Sequence, residues 1–288
     1  MNTTLTTADG LALHLREWPL ADPGGTRGTV LMVHGLGEHI GRYAHVAAQL
    51  NALGWRVVGY DQRGHGRSQG RRGALGADDA LLNDLASVVD SVRAAHLGPL
   101  VLLGHSMGGL VAARFCAEGL AMASSATTAP APWHRKVDAL VLSSPALAID
   151  MNAAQQLMLA VLGRLAPNLA VHNGLKPEWI SRDPAVVKAY VDDPMVHDRI
   201  TPRLVRFFLD SGALVLARAA RWAVPTLLLY AGSDRCVAPA GSAAFAAAAP
   251  KSVVTAREFK TLFHEIFNEP EQGEVFAALG AWLAARGS

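Results

Sequence analysis

A chain of 288 residues, 51 % of them hydrophobic, can bury a large core, and α/β domains of this length are commonly single units. A formal charge of +2 gives no reason to expect nucleic acid or an acidic partner, and two cysteines cannot build a disulfide framework. The histidines are scattered and no Cys or His spacing repeats, so no metal and no cofactor are expected.

The segment Met1 to Gly10 has neither a basic nor an apolar stretch of the secretory kind, and no run approaches the roughly 18 uninterrupted apolar residues of a membrane span. A cytoplasmic protein is expected. Leu5 to Thr7 and Leu11 to Trp18 read as a hairpin joined at Ala8-Asp9-Gly10. Thr29 to Val33 is a buried-strand run that ends in His34-Gly35-Leu36-Gly37. A helix near 43–53, a strand from Trp55 to Tyr60 and a helix near 78–95 follow. In the Gly- and Arg-rich stretch Asp61 to Gly73, the glycines shape a loop beside the site, and the arginines read as solvated or paired structurally. Pro99 to Leu103 is again a buried strand, and beyond it Met107, Leu110, Val111 and Phe115 recur at helical spacing. Residues 121–135 are Ala/Thr/Pro-rich and read as a flexible surface extension, ahead of a strand from Val137 to Leu142.

Strict alternation stops between Pro145 and Ala223, where Met151–Leu165 and Pro202–Ala217 read as amphipathic helices. It resumes with a strand at Thr226–Ala231, a short β-like run at Ser252–Ala256 and a helix from about Glu271 to Ala285. Such alternation implies a mostly parallel central sheet flanked by helices. Residues 1–145 and 223–288 would form this core, with 146–222 a helical cap inserted after the sixth strand. The cap is rich in apolar residues (Leu157, Met158, Leu159, Val161, Leu162, Leu204, Phe207, Phe208 and Leu209). Two readings stay open for them, an acyl-chain channel or ordinary packing against the domain.

Gly104-His105-Ser106-Met107-Gly108 carries the chemistry. A serine between a buried strand and a helix sits on a sharp turn that holds its hydroxyl at the carboxyl edge of the sheet. The turn brings backbone so close that Gly104 and Gly108 admit no side chain. A nucleophilic serine needs a base, and the base needs an orienting acid. Four histidines lie downstream: His134, His172, His197 and His264. Of these, His134 falls in the Ala/Thr/Pro segment, and His172 and His197 fall in a middle region without strand signals. His264 follows a β-like run, in a loop of the kind that holds the chemistry of open α/β sheets. Asp234 turns off the end of the strand Thr226–Ala231 and is the expected acid. The oxyanion hole is assigned to the backbone N–H groups of Leu36 and Met107. His34 precedes the serine and reads as structural, as does Cys116; Cys236, two residues beyond the expected acid, reads as structural or as a neighbour of the site.

Several blocks resemble the α/β-hydrolase family, and within it the monoacylglycerol lipase and lysophospholipase branch. They are His34-Gly35-Leu36-Gly37-Glu38-His39 with Gly41-Arg42-Tyr43, Asp61-Gln62-Arg63-Gly64-His65-Gly66-Arg67-Ser68 with Gly70, and Gly104 to Gly109. Ser143-Ser144-Pro145, Gly232-Ser233-Asp234-Arg235 and His264-Glu265 continue the series in the same order. The resemblance implies Ser106, Asp234 and His264 as a triad, and it places Glu38 and Arg42 at the polar end that receives glycerol; the other reading left open for these two is that they simply pair with each other across the loop. One departure stands out. Animal members of the branch carry a second histidine three residues after the triad histidine, where this chain has Phe267.

The expected function is a metal-free serine hydrolase that cleaves monoacylglycerols or related single-chain lipid esters through an acyl-enzyme. A lysophospholipase, a broad short-chain carboxylesterase and, from another class, a ligand sensor on the same scaffold are the alternatives. The partner is a small lipid ester, with a transient membrane contact expected through the cap. The oligomeric state is left undetermined.

Overall fold

The computed structural model describes residues 1–22, 25–120 and 130–285. The chain runs β1 (Asn2–Thr6), β2 (Ala12–Trp18), β3 (Thr29–Val33), α1 (Ala44–Ala52), β4 (Arg56–Tyr60), α2 (Ala80–Ala95), β5 (Leu100–His105), α3 (Met107–Glu118) and β6 (Ala139–Ser143). It continues through α4 (Ala153–Leu165), β7 (Val171–His172), α5 (Pro184–Asp192), β8 (Arg199–Ile200) and α6 (Pro202–Arg218). β9 (Thr226–Ala231), α7 (Pro239–Ala248), β10 (Val254–Phe259) and α8 (Gln272–Ala284) complete it. Eight strands form one sheet in the order β1-β2-β4-β3-β5-β6-β9-β10, and β7 pairs with β8 in a separate ribbon. The β1–β2 and β2–β4 pairings are antiparallel, and all others in the large sheet are parallel. This is the expected α/β-hydrolase architecture.

Period-two alternation distributes the strand side chains between two cores. Leu31 and Val33, Leu100 and Leu102, and Leu140 and Leu142 face one core, which they share with Leu85 of α2, Phe115 of α3 and Phe245 of α7. Val30 and Met32, Val101 and Leu103, and Ala139 and Val141 face the other, against Leu50 of α1 and Leu279 of α8. Because both faces are covered, the central strands are apolar throughout rather than alternately polar. The chain passes from β3 outward to β4 and then returns to β5 on the other side of β3. The crevice at such a reversal, beyond the carboxyl ends of the strands, is where open α/β sheets bind ligands.

Sequence expectations and structure part in four places. The β-like run near 252 becomes a strand reaching Phe259, whose middle residues Thr255 to Glu258 are exposed as the last strand of the sheet. The middle region does contain strands, since His172 lies in β7. The helices α5 and α7 have no counterpart in the sequence reading. Of the expected surface extension over 121–135, residues 121–129 lie outside the described residues. Trp133 at its other end is not on the surface: it is buried, with its ring 5.7 Å from that of Phe115.

The elements between β6 and β9 differ in how they pack. α6 buries Leu204, Phe207, Phe208 and Val215 in the core it shares with α3. Neither α4 nor α5 contains a fully buried residue. Among the described residues no helix is long and apolar enough to cross a membrane.

Candidate active site

The turn between β5 and α3 forces Ser106 into the left-handed region, with φ +54°. For a residue other than glycine that conformation is strained and persists only where the surroundings impose it. The cause lies in the neighbours. A Cβ on Gly104 would come 2.4 Å from the Gly108 carbonyl oxygen, and one on Gly108 would come 2.1 Å from that of Val33. The Ser106 N–H donates to the Ser143 carbonyl, and its own carbonyl accepts from Leu110 and Ala146. With its backbone fixed on both sides, the serine presents its side chain at the cavity floor.

His264 and Asp234 meet at the ends of the loops after β10 and β9. The His264 Nδ1 donates to Asp234 Oδ2 at 2.7 Å, while Asp234 Oδ1 accepts from the N–H groups of Cys236 and Val237. Nε2 is therefore the nitrogen left for proton exchange, and His264 lines the same cavity as Ser106. Burial opposes charge on the His264 imidazole, but the Asp234 carboxylate outweighs it by charge and hydrogen bond, with Glu265 and Glu38 adding to the effect. The net result is a pKa above the ordinary histidine value. Burial likewise works against the Asp234 carboxylate, yet His264 and the two N–H groups hold its pKa below the usual range.

A base with a raised pKa is neutral only above that value, so the rate is lost as pH falls through it. The acid limb of kcat/KM is expected to have its midpoint above the ~6.5 of an unperturbed histidine. A midpoint well below that would assign the proton transfer to another group.

Leu36 and Met107, the assigned oxyanion donors, both lie beside Ser106. Met107 opens α3, so its N–H has no acceptor within the helix. Leu36 lines the cavity, and the loop before it runs so close that a Cβ on Gly35 would sit 3.1 Å from Ser106 Cβ. Behind it His34 is locked as one neutral tautomer: its Nδ1 donates to the Gly35 carbonyl and its Nε2 accepts from the Gln62 N–H. His34 is thus structural, as its place in the chain suggests.

Glu38 and Arg42 belong to a buried ionic network. Glu38 Oε1 accepts from the Gly35 N–H and the Tyr43 hydroxyl, both at 2.6 Å, and Oε2 accepts from Arg42 at 2.7 Å. Arg42 also grips Glu265 through both terminal nitrogens, at 2.7 and 2.8 Å. The network ties the loop after β3 to the residue beside His264, so both side chains are engaged in holding loops even though Glu38 borders the cavity. Glu265 and Tyr43 stand within quoted sequence blocks, yet a contact across 223 positions leaves no spacing to read.

The sequence reading also missed His105. Its ring centroid lies 4.7 Å from that of His264, and burial together with the His264 charge lowers its pKa to about 3. It packs beside the base as a neutral ring. Cys236, read as structural or as a neighbour of the site, lines the cavity, and Asp234, Cys236 and His264 each bring a ligand atom within 4.8 Å of the others. Two of those three donors are engaged with each other in the Asp234–His264 hydrogen bond. His172 and His197 also reach the cavity wall, both from the segment between β6 and β9.

The cavity has two arms that share Leu36, Ser106, His172, Asn173, Leu175 and Cys236. One, of about 440 Å³, carries Glu38, Tyr190, Asp193, Asp198 and Glu265. The other, of about 200 Å³, is walled by Ile149, Met158, Leu159, Leu162, Val205 and Phe208. Of the apolar cap residues singled out by sequence, Met158, Leu159, Leu162 and Phe208 line this arm. Leu204 and Phe207 are buried in the core, and Leu157, Val161 and Leu209 face solvent. Leu204 and Phe207 thus follow the packing reading, while the four at the cavity keep the acyl-chain reading open.

The family model described as serine aminopeptidase, S33, matches residues 24–271. A monoacylglycerol lipase of Mycolicibacterium smegmatis is 36 % identical over 93 % of this chain and 90 % of its own. A monoglyceride lipase of Homo sapiens is 30 % identical over 98 % and 90 % respectively. Among solved structures, that of Paleococcus ferrophilus monoacylglycerol lipase superposes with a TM-score of 0.82 at 34 % identity, covering 96 % of this chain and 99 % of that one.

Proposed function

The chain belongs to this α/β-hydrolase family, which includes the monoacylglycerol lipases, and on that footing we propose that it hydrolyses monoacylglycerols with Ser106 as nucleophile. The observation that carries this reading is a two-armed cavity with a strained serine at the junction. His264 takes the Ser106 proton as the oxygen attacks the ester carbonyl, and Asp234 holds the imidazole and supports its charged form. The N–H groups of Leu36 and Met107 receive the oxyanion. Collapse expels the alcohol, which takes its proton from His264. Water then attacks the acyl-enzyme with His264 again as base, releasing the fatty acid and restoring Ser106.

The arms divide the substrate. An acyl chain fits the apolar arm and an alcohol the polar one. Carboxylates of the polar arm accept hydrogen bonds from a neutral diol. A phosphate finds few cations there, because Arg42 has committed its terminal nitrogens to Glu38 and Glu265. Lys176 is the one Lys or Arg among the described residues lining this arm. A monoacylglycerol is therefore expected to exceed lysophosphatidylcholine of the same chain length in kcat/KM by at least about tenfold, the equivalent of one lost charge-assisted hydrogen bond. Equal or reversed rates would replace the glycerol reading with the lysophospholipase one, and a preference for short nitrophenyl esters over both would favour the broad esterase.

Residues 146–222 act in this reading as a cap, with α4 as its outer helix. Leu162 lines the apolar arm from a helix with no buried residue, so a polar replacement there leaves the core intact. Leu162→Asn is expected to lower kcat/KM for long-chain esters on the order of tenfold through lost apolar contact. Butyrate esters are expected to be almost unaffected. Equal losses on both, measured across a chain-length series, would return Leu162 to a packing role.

α4 also leaves Leu157, Met158, Val161 and Leu165 exposed at helical spacing. Such a face supports transient contact with a membrane surface as the source of substrate. The two cysteines are free thiols, which suits a reducing, cytoplasmic setting.

A further inference from the structure

Glu269 is fully buried and takes no part in the ester chemistry described above. Four groups donate to it. Ser181 Oγ and the Arg182 N–H reach Oε1 at 2.7 and 2.6 Å, and Arg182 Nε and the Phe263 N–H reach Oε2 at 2.6 and 2.9 Å. Burial opposes the charge, yet the Arg182 guanidinium and these N–H groups keep the carboxyl pKa below its usual range. Its donors come from two different parts of the chain. Phe263 immediately precedes His264, so Glu269 closes the loop 263–269 on the residue next to the imidazole. Ser181 and Arg182 lie in the segment between β6 and β9, just before α5. The same seam carries a second bond, from the Glu265 N–H to the Ile180 carbonyl.

We propose that Glu269, neutralised by Arg182, is a positioning residue for His264, which keeps Nδ1 on Asp234 only while residues 180–182 are seated against the loop. The inference rests on the triad reading given above. It assigns those residues a part in assembling the base, beyond covering the substrate. A loop held at only one end would let the imidazole drift, and a displacement of about 1 Å is enough to cost on the order of 10²-fold in rate.

Glu269→Gln tests this with little change in volume. An amide offers one acceptor oxygen, so whichever way it lies its NH2 confronts a backbone N–H, that of Arg182 or that of Phe263. Arg182→Ala is the second variant. Its side chain is 31 % exposed, and its loss leaves Glu269 three of its four bonds. The groups facing His264 are Asp234 and Cys236 from the loop after β9, His105 from the end of β5, Glu38 from the loop after β3, and Glu265 beside it. Neither substitution removes any of them, and the direct effects of the two lost charges on the imidazole are opposite in sign, so an acid limb moved down in both variants reports a moved imidazole.

The readouts are kcat and KM on nitrophenyl butyrate, the acid limb of kcat/KM, and thermal stability. Glu269→Gln is expected to lower kcat on the order of 10²-fold with KM held within about threefold, and to shift the acid limb to lower pH as Asp234 is lost. Arg182→Ala is expected to do the same on the order of tenfold, and it decides alone if the first variant fails to fold. Lowered stability with wild-type kcat and an unmoved acid limb per folded molecule would make Glu269 a structural carboxylate and overturn the proposal. Fluorophosphonate labelling of the unaltered protein separates the two readings. If Ser106 is not labelled the triad itself fails, whereas normal labelling with unaffected variants removes only the role of Glu269.

Discussion

Ser106→Ala is expected to lower ester turnover on the order of 10⁶-fold, by the measure of serine-protease triads, and to abolish labelling by a fluorophosphonate probe. The size follows from how the site is built. In the proposed roles His264 and Asp234 raise the nucleophilicity of one oxygen, and without that oxygen their geometry activates nothing. What survives is the oxyanion hole and substrate binding, which supply a residual rate over water but no acyl-enzyme. Stability is expected to change little or to improve, because an alanine in the same turn keeps the Cβ and both backbone hydrogen bonds to the Ser106 carbonyl. The measurement is steady-state hydrolysis of a monoacylglycerol alongside probe labelling. Wild-type hydrolysis with labelling at a different serine would show the nucleophile to be misassigned, and labelling without turnover in the unaltered protein would favour the sensor.

The sheet was legible because its central strands are short apolar runs with glycine or proline close to their ends, and burial on both faces makes such runs stand out. That Ser106, Asp234 and His264 would come together was legible for a related reason. Each sits in a loop at the carboxyl end of a recognisable strand, and their order along the chain narrowed the choice of base and acid. What stayed hidden had no local signature. α7 is mostly alanine (Pro239-Ala-Gly-Ser-Ala-Ala-Phe-Ala-Ala-Ala) and shows no apolar stripe, although Phe245 anchors it in the core. The far half of β10 carries no strand signal, since Arg257 and Glu258 look like loop residues, and charges on an edge strand are what discourage pairing with a second sheet. The network of Glu38, Arg42 and Glu265 and the convergence on Glu269 join residues far apart in sequence. A carboxylate's partners are set by tertiary packing, so neither could be read from the residues around it.

Asp234→Asn is expected to cost about 10⁴-fold in kcat by the same measure, less than the loss of the base itself. Asp234 Oδ1 accepts from two N–H groups, those of Cys236 and Val237, and Oδ2 accepts from one, the Nδ1–H of His264. An asparagine has a single acceptor oxygen, and the site with two backbone donors claims it. The NH2 is then turned toward His264 Nδ1 as a donor, which stabilises the tautomer that bears its proton on Nε2. In that state Nε2 cannot accept a proton from the serine, although every heavy atom is close to its original place. The same substitution removes the largest influence raising the His264 pKa, so the acid limb is expected to move down from its position in the unaltered protein. Ser106→Ala has no such signature, since it leaves the Asp234–His264 pair intact. A pH series of kcat/KM for Asp234→Asn, with folding checked by thermal denaturation, therefore reads orientation and charge support together. A loss smaller than about tenfold with the acid limb in its original position would mean that another carboxylate orients the base.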